Sequence, residues 1–275
     1  RKILVARGAY HGSAPWCTPY PNGATAEDRV HLIHYDYNDV ASLEAAARSV
    51  EGDLAGIIAS AFKHDYGKDQ EMPTPAFTQA ARRLCDASGA ALILDDVRAG
   101  FRLALGGSWE TVGVRPDLAA YSKAIANGYT LAAVTGSDKF RDAAASVYMT
   151  GSFWCGAASM AAALKTLEIF ERDDTIGHIA RMGQRFRDGL ASQASSHGLV
   201  LRQTGPAQMP QILFENDPEV AKGRLFAQEA LRGGAWLHPQ HNMFLSSAHG
   251  EAEIDRALQA TDAAMGAVAK HFGRD

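Results

Sequence analysis

The hydrophobic pattern of the chain alternates between short unbroken apolar runs and stretches where apolar residues return every three or four positions. The runs KILVA (2–6), VHLIHY (30–35), LAGIIASAF (54–62) and AALILDD (90–96) have strand length, and DLAAYS and LAAVTG follow them. Their all-apolar character fits parallel strands buried on both faces. Between them, residues 39–51 place Val40, Leu43, Ala46 and Ala47 on one helical face, with Asp39 positioned as a cap. A second helix is predicted over 75–89, with Pro75 near its start and Gly89 at its end. Strands alternating with helices predict an α/β fold with a mainly parallel central sheet flanked by helices.

Beyond about residue 155 the pattern changes. Residues 155–173 form a long alanine-rich helical stretch, and a second runs over 175–198. Two short strand candidates follow (LVLRQTG and QMPQILF), then helices over 218–232 and 251–271. This predicts a smaller C-terminal α+β unit. The boundary falls near residue 172, giving domains 1–172 and 173–275.

Composition adds exclusions. The 275 residues are 47% hydrophobic and 21% charged, as in ordinary globular chains. A net charge of -4 gives no electrostatic footprint for nucleic acid or an anionic membrane. No apolar run approaches the roughly 20 residues of a membrane helix. Cys17, Cys85 and Cys155 lack metal-type spacing, and so few cysteines fit a reducing cytoplasm. The chain opens on Arg1 and enters a strand at once, as if in mid-domain, so it is expected to be a piece of something longer.

Four stretches carry candidate chemistry, and each has a plain alternative. Lys123 follows an apolar run; desolvation there lowers an amine's pKa and makes it a nucleophile, whereas a surface lysine past a strand end does nothing. Asp95 ends the run ALILDD, where α/β sheets meet ligands; it suits a metal, a ribose or a protonated ring nitrogen, or simply caps the next turn. Val97 after it supplies a stiff wall. In GAYHGS (8–13), Gly8 and Gly12 permit close backbone approach, Tyr10 can stack on a flat ring, and His11 is a proton carrier or a structural histidine. In MTGSFWCGAASM (149–160), hydroxyls and glycines precede a long helix, as in a phosphate site or an ordinary N-cap by Ser152.

Together these stretches resemble the class III pyridoxal-phosphate aminotransferases, in the branch of glutamate-1-semialdehyde aminomutase. The order is YHG, then DDV..GFR, then G..PDL...SKA..NG, then GS......SMAAAL, with Gly100-Phe101-Arg102, Tyr37-Asn38-Asp39, and Ser247, His249, Ile254 and Asp255 matching further family elements. The resemblance covers essentially the whole chain. It implies the fold type I transferase fold, pyridoxal 5'-phosphate as cofactor, and no metal. It implies that Lys123 forms the internal aldimine and moves the substrate proton, and that Asp95 keeps the pyridine nitrogen protonated. Val97 would pack behind the ring, with Tyr10 on the other face and His11 beside it. Gly151 and Ser152 would meet the cofactor phosphate across the interface of a homodimer, with Tyr148, Phe153 and Trp154 as anchors there or as monomer core.

The expected function is amino transfer between an amine or amino acid and a keto acid. The alternatives are an aminomutase or racemase on the same scaffold, or an inactive truncated relative. Three departures from the family stand out. Asp96 replaces a glutamate, Arg98 stands where relatives carry Gln, Met or Ile, and Ser60-Ala61 replaces Glu-Pro. Arg98 is either a substrate-facing cation or a solvent-facing one. Relatives also carry a long segment before YHG, including a phosphate-cupping loop, that this chain lacks.

Overall fold

The computed structural model describes residues 1–154 and 156–275. Two compact units emerge: Arg1–Lys63 with Pro73–Arg172, and His64–Met72 with Asp173–Asp275.

The first unit is built on a six-stranded sheet. Its strands are β1 (Lys2–Ala6), β2 (Leu32–Tyr35), β3 (Leu54–Ser60), β4 (Ala91–Asp95), β5 (Leu118–Tyr121) and β6 (Ala133–Gly136), in the order β2-β1-β3-β4-β5-β6. The first five are parallel. The last is not: β6 pairs antiparallel with β5, and three of its four residues are exposed. The expectation that LAAVTG is a buried parallel strand is therefore corrected. A parallel return needs a crossover, usually a helix, and residues 122–132 form turns without one.

Helix α1 (Val40–Arg48) starts as its sequence predicts, with the Asp39 carboxylate accepting the Ser42 N–H at 2.9 Å. It buries Leu43, Ala46 and Ala47. Helix α2 (Pro75–Ser88) is capped by Thr74 and stopped by Gly89 in the left-handed region at φ 72°. Beyond the sheet come α3 (Arg141–Ser146) and α4 (Ala157–Arg172), both exposed along most of their length. Cys155, where the sequence pattern begins the latter helix, lies outside the described residues.

The core between sheet and helices includes Leu4, Tyr35, Leu43, Ile57, Phe77, Leu92, Leu94 and Trp109, each almost wholly buried. Polar atoms within it are paired: Tyr35 Oη donates to the Ile58 carbonyl at 2.9 Å, and Trp109 Nε1 to that of Ala61 at 3.1 Å. Leu92 is central to β4 and fully buried. Leu92→Ala is expected to cost about 2–5 kcal/mol, the usual range for a leucine cavity, as read by urea unfolding.

The second unit contains α5 (Thr175–His197), a two-stranded antiparallel ribbon of β7 (Leu201–Arg202) and β8 (Leu213–Phe214), α6 (Ala221–Arg232) and α7 (Glu251–Phe272). Phe186, Leu190, Phe226, Ala264, Met265 and Val268 form its centre. The segment 64–72 is stitched into this unit. Gln70 N donates to Thr204 Oγ1 at 2.8 Å, and Gln70 Nε2 to the Thr204 carbonyl at 3.0 Å.

Candidate active site

In the parallel part of the first sheet, β2 lies on one side of β1 and β3, β4 and β5 on the other. Sheets of this order bind ligands beyond the carboxyl ends of their strands, near the reversal. His11 follows β1, Asp95 ends β4 and Lys123 follows β5, so all three belong to that edge.

His11 and Asp95 meet directly. His11 Nδ1 lies 2.7 Å from Asp95 Oδ2, with side-chain exposures of 2% and 16%. The other carboxylate oxygen accepts the Val97 N–H at 3.1 Å. Backbone bonding holds His11 as well, its N–H donating to the Cys17 carbonyl at 2.8 Å. Gly8 and Gly12 adopt positive φ of 75° and 115°, so a conformational demand accounts for glycine at both. His11 Nε2 is buried without a hydrogen-bond partner, which suits a ring that serves its carboxylate through Nδ1.

Lys123 lies on the same edge but is exposed. Its ammonium is lowered from the ordinary lysine value, first by partial desolvation and then by repulsion from Arg98 and Arg102, while Asp95 pulls the other way. Water screens much of this at an exposed group. Burial also lowers the Arg98 guanidinium, and with Arg98 beside it brings Arg102 down to about 10. Arg98 is half-buried and electrostatically coupled to Asp95, so it is not a solvent-facing arginine.

The turn joining these groups is tightly determined. Phe101 takes a left-handed φ of 62°, rare outside glycine and asparagine, and its ring packs on Tyr121 at 5.0 Å. A Cβ on Gly100 would lie 2.6 Å from the Tyr121 ring and 2.7 Å from the Asp96 carbonyl. Asp96 itself is buried, its carboxylate accepting both the backbone N–H and the hydroxyl of Ser108. Burial raises its pKa against those two bonds. Gly100→Ala is expected to destabilise the protein by about 1–3 kcal/mol through overpacking, as read by thermal unfolding.

Tyr10 is half exposed and Val97 half buried beside Asp95. Gly151 and Ser152 lie on an exposed stretch, and among the described contacts none joins them to the β4–β5 edge. Ser152 does not cap α4, which begins at Ala157. Tyr148, Phe153 and Trp154 are 91%, 94% and 51% exposed, so they do not pack in the core of this chain. The donor set at the edge suits a ring cation held at Asp95 and a carbonyl carbon near Lys123. Among the described residues no group of three histidine, cysteine or acidic side chains is placed for a metal, and no helix is long and apolar enough to cross a membrane.

The family model for aminotransferase class-III matches residues 2–248. The chain belongs to the class-III aminotransferases. This class-III chain is 47% identical over 272 residues to the aminopentol aminotransferase of Sphingopyxis macrogoltabida, covering 99% of itself and 64% of that protein. It is 31% identical over 291 residues to the glutamate-1-semialdehyde 2,1-aminomutase of Opitutus terrae, covering 96% and 68%. Among solved structures it matches the PLP internal aldimine form of the FumI protein of Sphingopyxis sp. MTA144 with a TM-score of 0.97 and 47% identity, over 98% of this chain and 66% of that one. The class-III chain thus spans about two thirds of the length of these relatives.

Three contacts at this candidate site lie beyond what the sequence pattern carries. One is the His11–Asp95 bond, which spans 84 positions. The others are the Asp96–Ser108 clamp and the place of Arg102 in the turn. The GFR element quoted above marks that turn but says nothing of its handedness.

Proposed function

We propose that this chain forms the greater part of a pyridoxal-phosphate-dependent aminotransferase, which moves an amino group between an amine or amino acid and a keto acid. The observation that carries the reading is a carboxylate at the end of β4, held by a buried histidine, on the same strand edge as Lys123. Bound pyridoxal phosphate would supply an electron-withdrawing ring that stabilises negative charge at the substrate carbon. Asp95 would keep a proton on the ring nitrogen through its carboxylate charge. His11 Nδ1 orients that carboxylate, and Val97 offers a flat apolar wall beside it. Tyr10 is exposed for stacking on the opposite face. Lys123 would hold the cofactor through its amine, and the same nitrogen is the group placed to hold and move the proton at the substrate carbon.

The name of the 47% identical relative supports amino transfer over mutase chemistry, with an amine donor as the first substrate class to try. An aminomutase on the same residues would work without an external keto acid, and that requirement separates the two. Gly151 and Ser152 are taken as phosphate contacts completed in a homodimer, supported by the exposed Tyr148, Phe153 and Trp154 around them. The two compact units are taken as the large cofactor domain and the small C-terminal domain. A cytoplasmic location accords with the few cysteines, Cys17 and Cys85 both being free and buried.

The test is borohydride reduction of the protein mixed with pyridoxal phosphate, followed by peptide mass mapping. A phosphopyridoxyl mass on Lys123 is the expected result. Its absence, or its presence on a different lysine, would sink the assignment.

A further inference from the structure

Asp96 takes no part in the proton and amino-group chemistry above, yet each of its polar groups is engaged at the same edge. Its side chain is buried, as is that of Ser108, which it binds. Its N–H donates to the Ala120 carbonyl at 3.0 Å, extending the β4–β5 pairing towards Lys123. Its carbonyl accepts the Gly100 N–H at 2.8 Å. One carboxylate oxygen accepts the Ser108 N–H at 2.8 Å and the other accepts the Ser108 hydroxyl. Ser108 precedes the wholly buried Trp109, whose Nε1 donates to the Ala61 carbonyl just past β3. The clamp therefore joins the ends of three neighbouring strands.

The peptide between Asp96 and Val97 links this clamp to the carboxylate of Asp95. A peptide unit is planar, so its carbonyl and its N–H turn together. Here the carbonyl is held by Gly100, and the N–H is the one that Asp95 Oδ1 accepts at 3.1 Å. Adjacent side chains of an extended chain take opposite faces, and Asp95 goes to His11 while Asp96 goes to Ser108. A buried carboxylate is costly unless hydrogen-bonded, and charge-assisted bonds are the stronger kind, so the hold on Ser108 is a stiff one. Fixing Asp96 there fixes the plane that grips Asp95 Oδ1, while His11 Nδ1 grips Oδ2.

We propose that Asp96 is a positioning residue: its hold on Ser108 sets the peptide between Asp96 and Val97 and, through it, the aim of the Asp95 carboxylate. This rests on the amino-transfer function proposed above and adds a residue that acts on the reaction without touching a ligand.

The experiment compares wild type with Asp96→Ala, Asp96→Asn and Ser108→Ala. In cofactor-free protein carrying isotope-labelled histidine, the His11 ring proton that faces Asp95 gives a downfield resonance, assigned by its loss in His11→Gln. In the holoenzyme, kcat and KM are measured with an amine donor and pyruvate, and a thermal melt gives the folded fraction. Asp96→Ala shifts or broadens the His11 resonance and lowers kcat about ten- to a hundred-fold with KM within about two-fold, as expected for a reacting group misplaced by about 1 Å or less. Asp96→Asn keeps the resonance in place and kcat within about three-fold, because its amide oxygen accepts the Ser108 N–H and its NH2 donates to Ser108 Oγ. Ser108→Ala removes the hydroxyl bond alone and falls between the two; should Asp96→Ala fail to fold, it carries the same comparison. A lower melting temperature with the resonance and kcat at wild-type values would make Asp96 a purely structural residue and overturn the proposal. An Asp96→Asn variant as impaired as Asp96→Ala overturns it as well, since the charge and not the clamp would then act. Failure of the amino-transfer reading is distinguishable: wild type would then carry no phosphopyridoxyl group on Lys123, while the His11 resonance would still report on the clamp.

Discussion

Lys123→Ala is expected to lower amino transfer by at least about a thousand-fold, since the lysine both takes the cofactor and moves the proton, and positioned acid–base groups alone contribute about 10²–10⁴. The fold should survive. Lys123 is exposed, and substitutions at such positions usually stay within about 0.5 kcal/mol. The checks are single-turnover kinetics with an amine donor and a thermal melt on the same sample. A melt that holds while turnover vanishes places the loss in chemistry. Undiminished turnover would mean that a different amine does the work.

Asp95→Asn tests the other half of the site. The amide keeps the shape of the carboxylate, but only its oxygen accepts: it can retain the Val97 N–H bond at 3.1 Å with its NH2 turned to His11 Nδ1, which then accepts as the other tautomer. What disappears is the negative charge. Loss of one preorganised electrostatic contact to a reacting system is expected to cost about 10²–10³ in kcat. Borohydride labelling of Lys123 should persist, because the lysine is intact. The informative pattern is labelling retained with kcat reduced. A variant with wild-type kcat would remove Asp95 from the electronic role and leave it as an anchor for His11.

The strands and helices of the first unit were legible because each is a local pattern with local punctuation. Asp39, Thr74, Pro75 and Gly89 sit where capping chemistry puts them. The direction of β6 was not legible from its apolar residues, which suit either orientation. What decided it was the absence of a helix in residues 122–132, a property of the connection and not of the strand. The candidate site was legible only as a set of residue types that the family resemblance implies. Its internal wiring was not. Nothing near His11 in the chain names Asp95 as its partner, and the bond exists because β1 and β4 deliver both to one edge. The burial of Arg98 was undecidable for the same reason, since it depends on what the 96–102 turn packs against. The exposure of Tyr148, Phe153 and Trp154 likewise belongs to tertiary structure, because a cluster of aromatics reads alike in a core and on a surface.

The turn built on Gly100 and Phe101 also divides the positions around it for anyone who wishes to re-engineer the protein. Residue 100 has no room for a side chain, and residue 101 holds a backbone shape that few amino acids accept. A library that randomises those two would carry a stability cost in most of its clones. Positions 97 and 98 hang from the same frame without forming it, so diversity placed there changes what the edge presents while its scaffold stays intact. The stiffest few residues of the loop are thus what would make their neighbours the easiest to evolve.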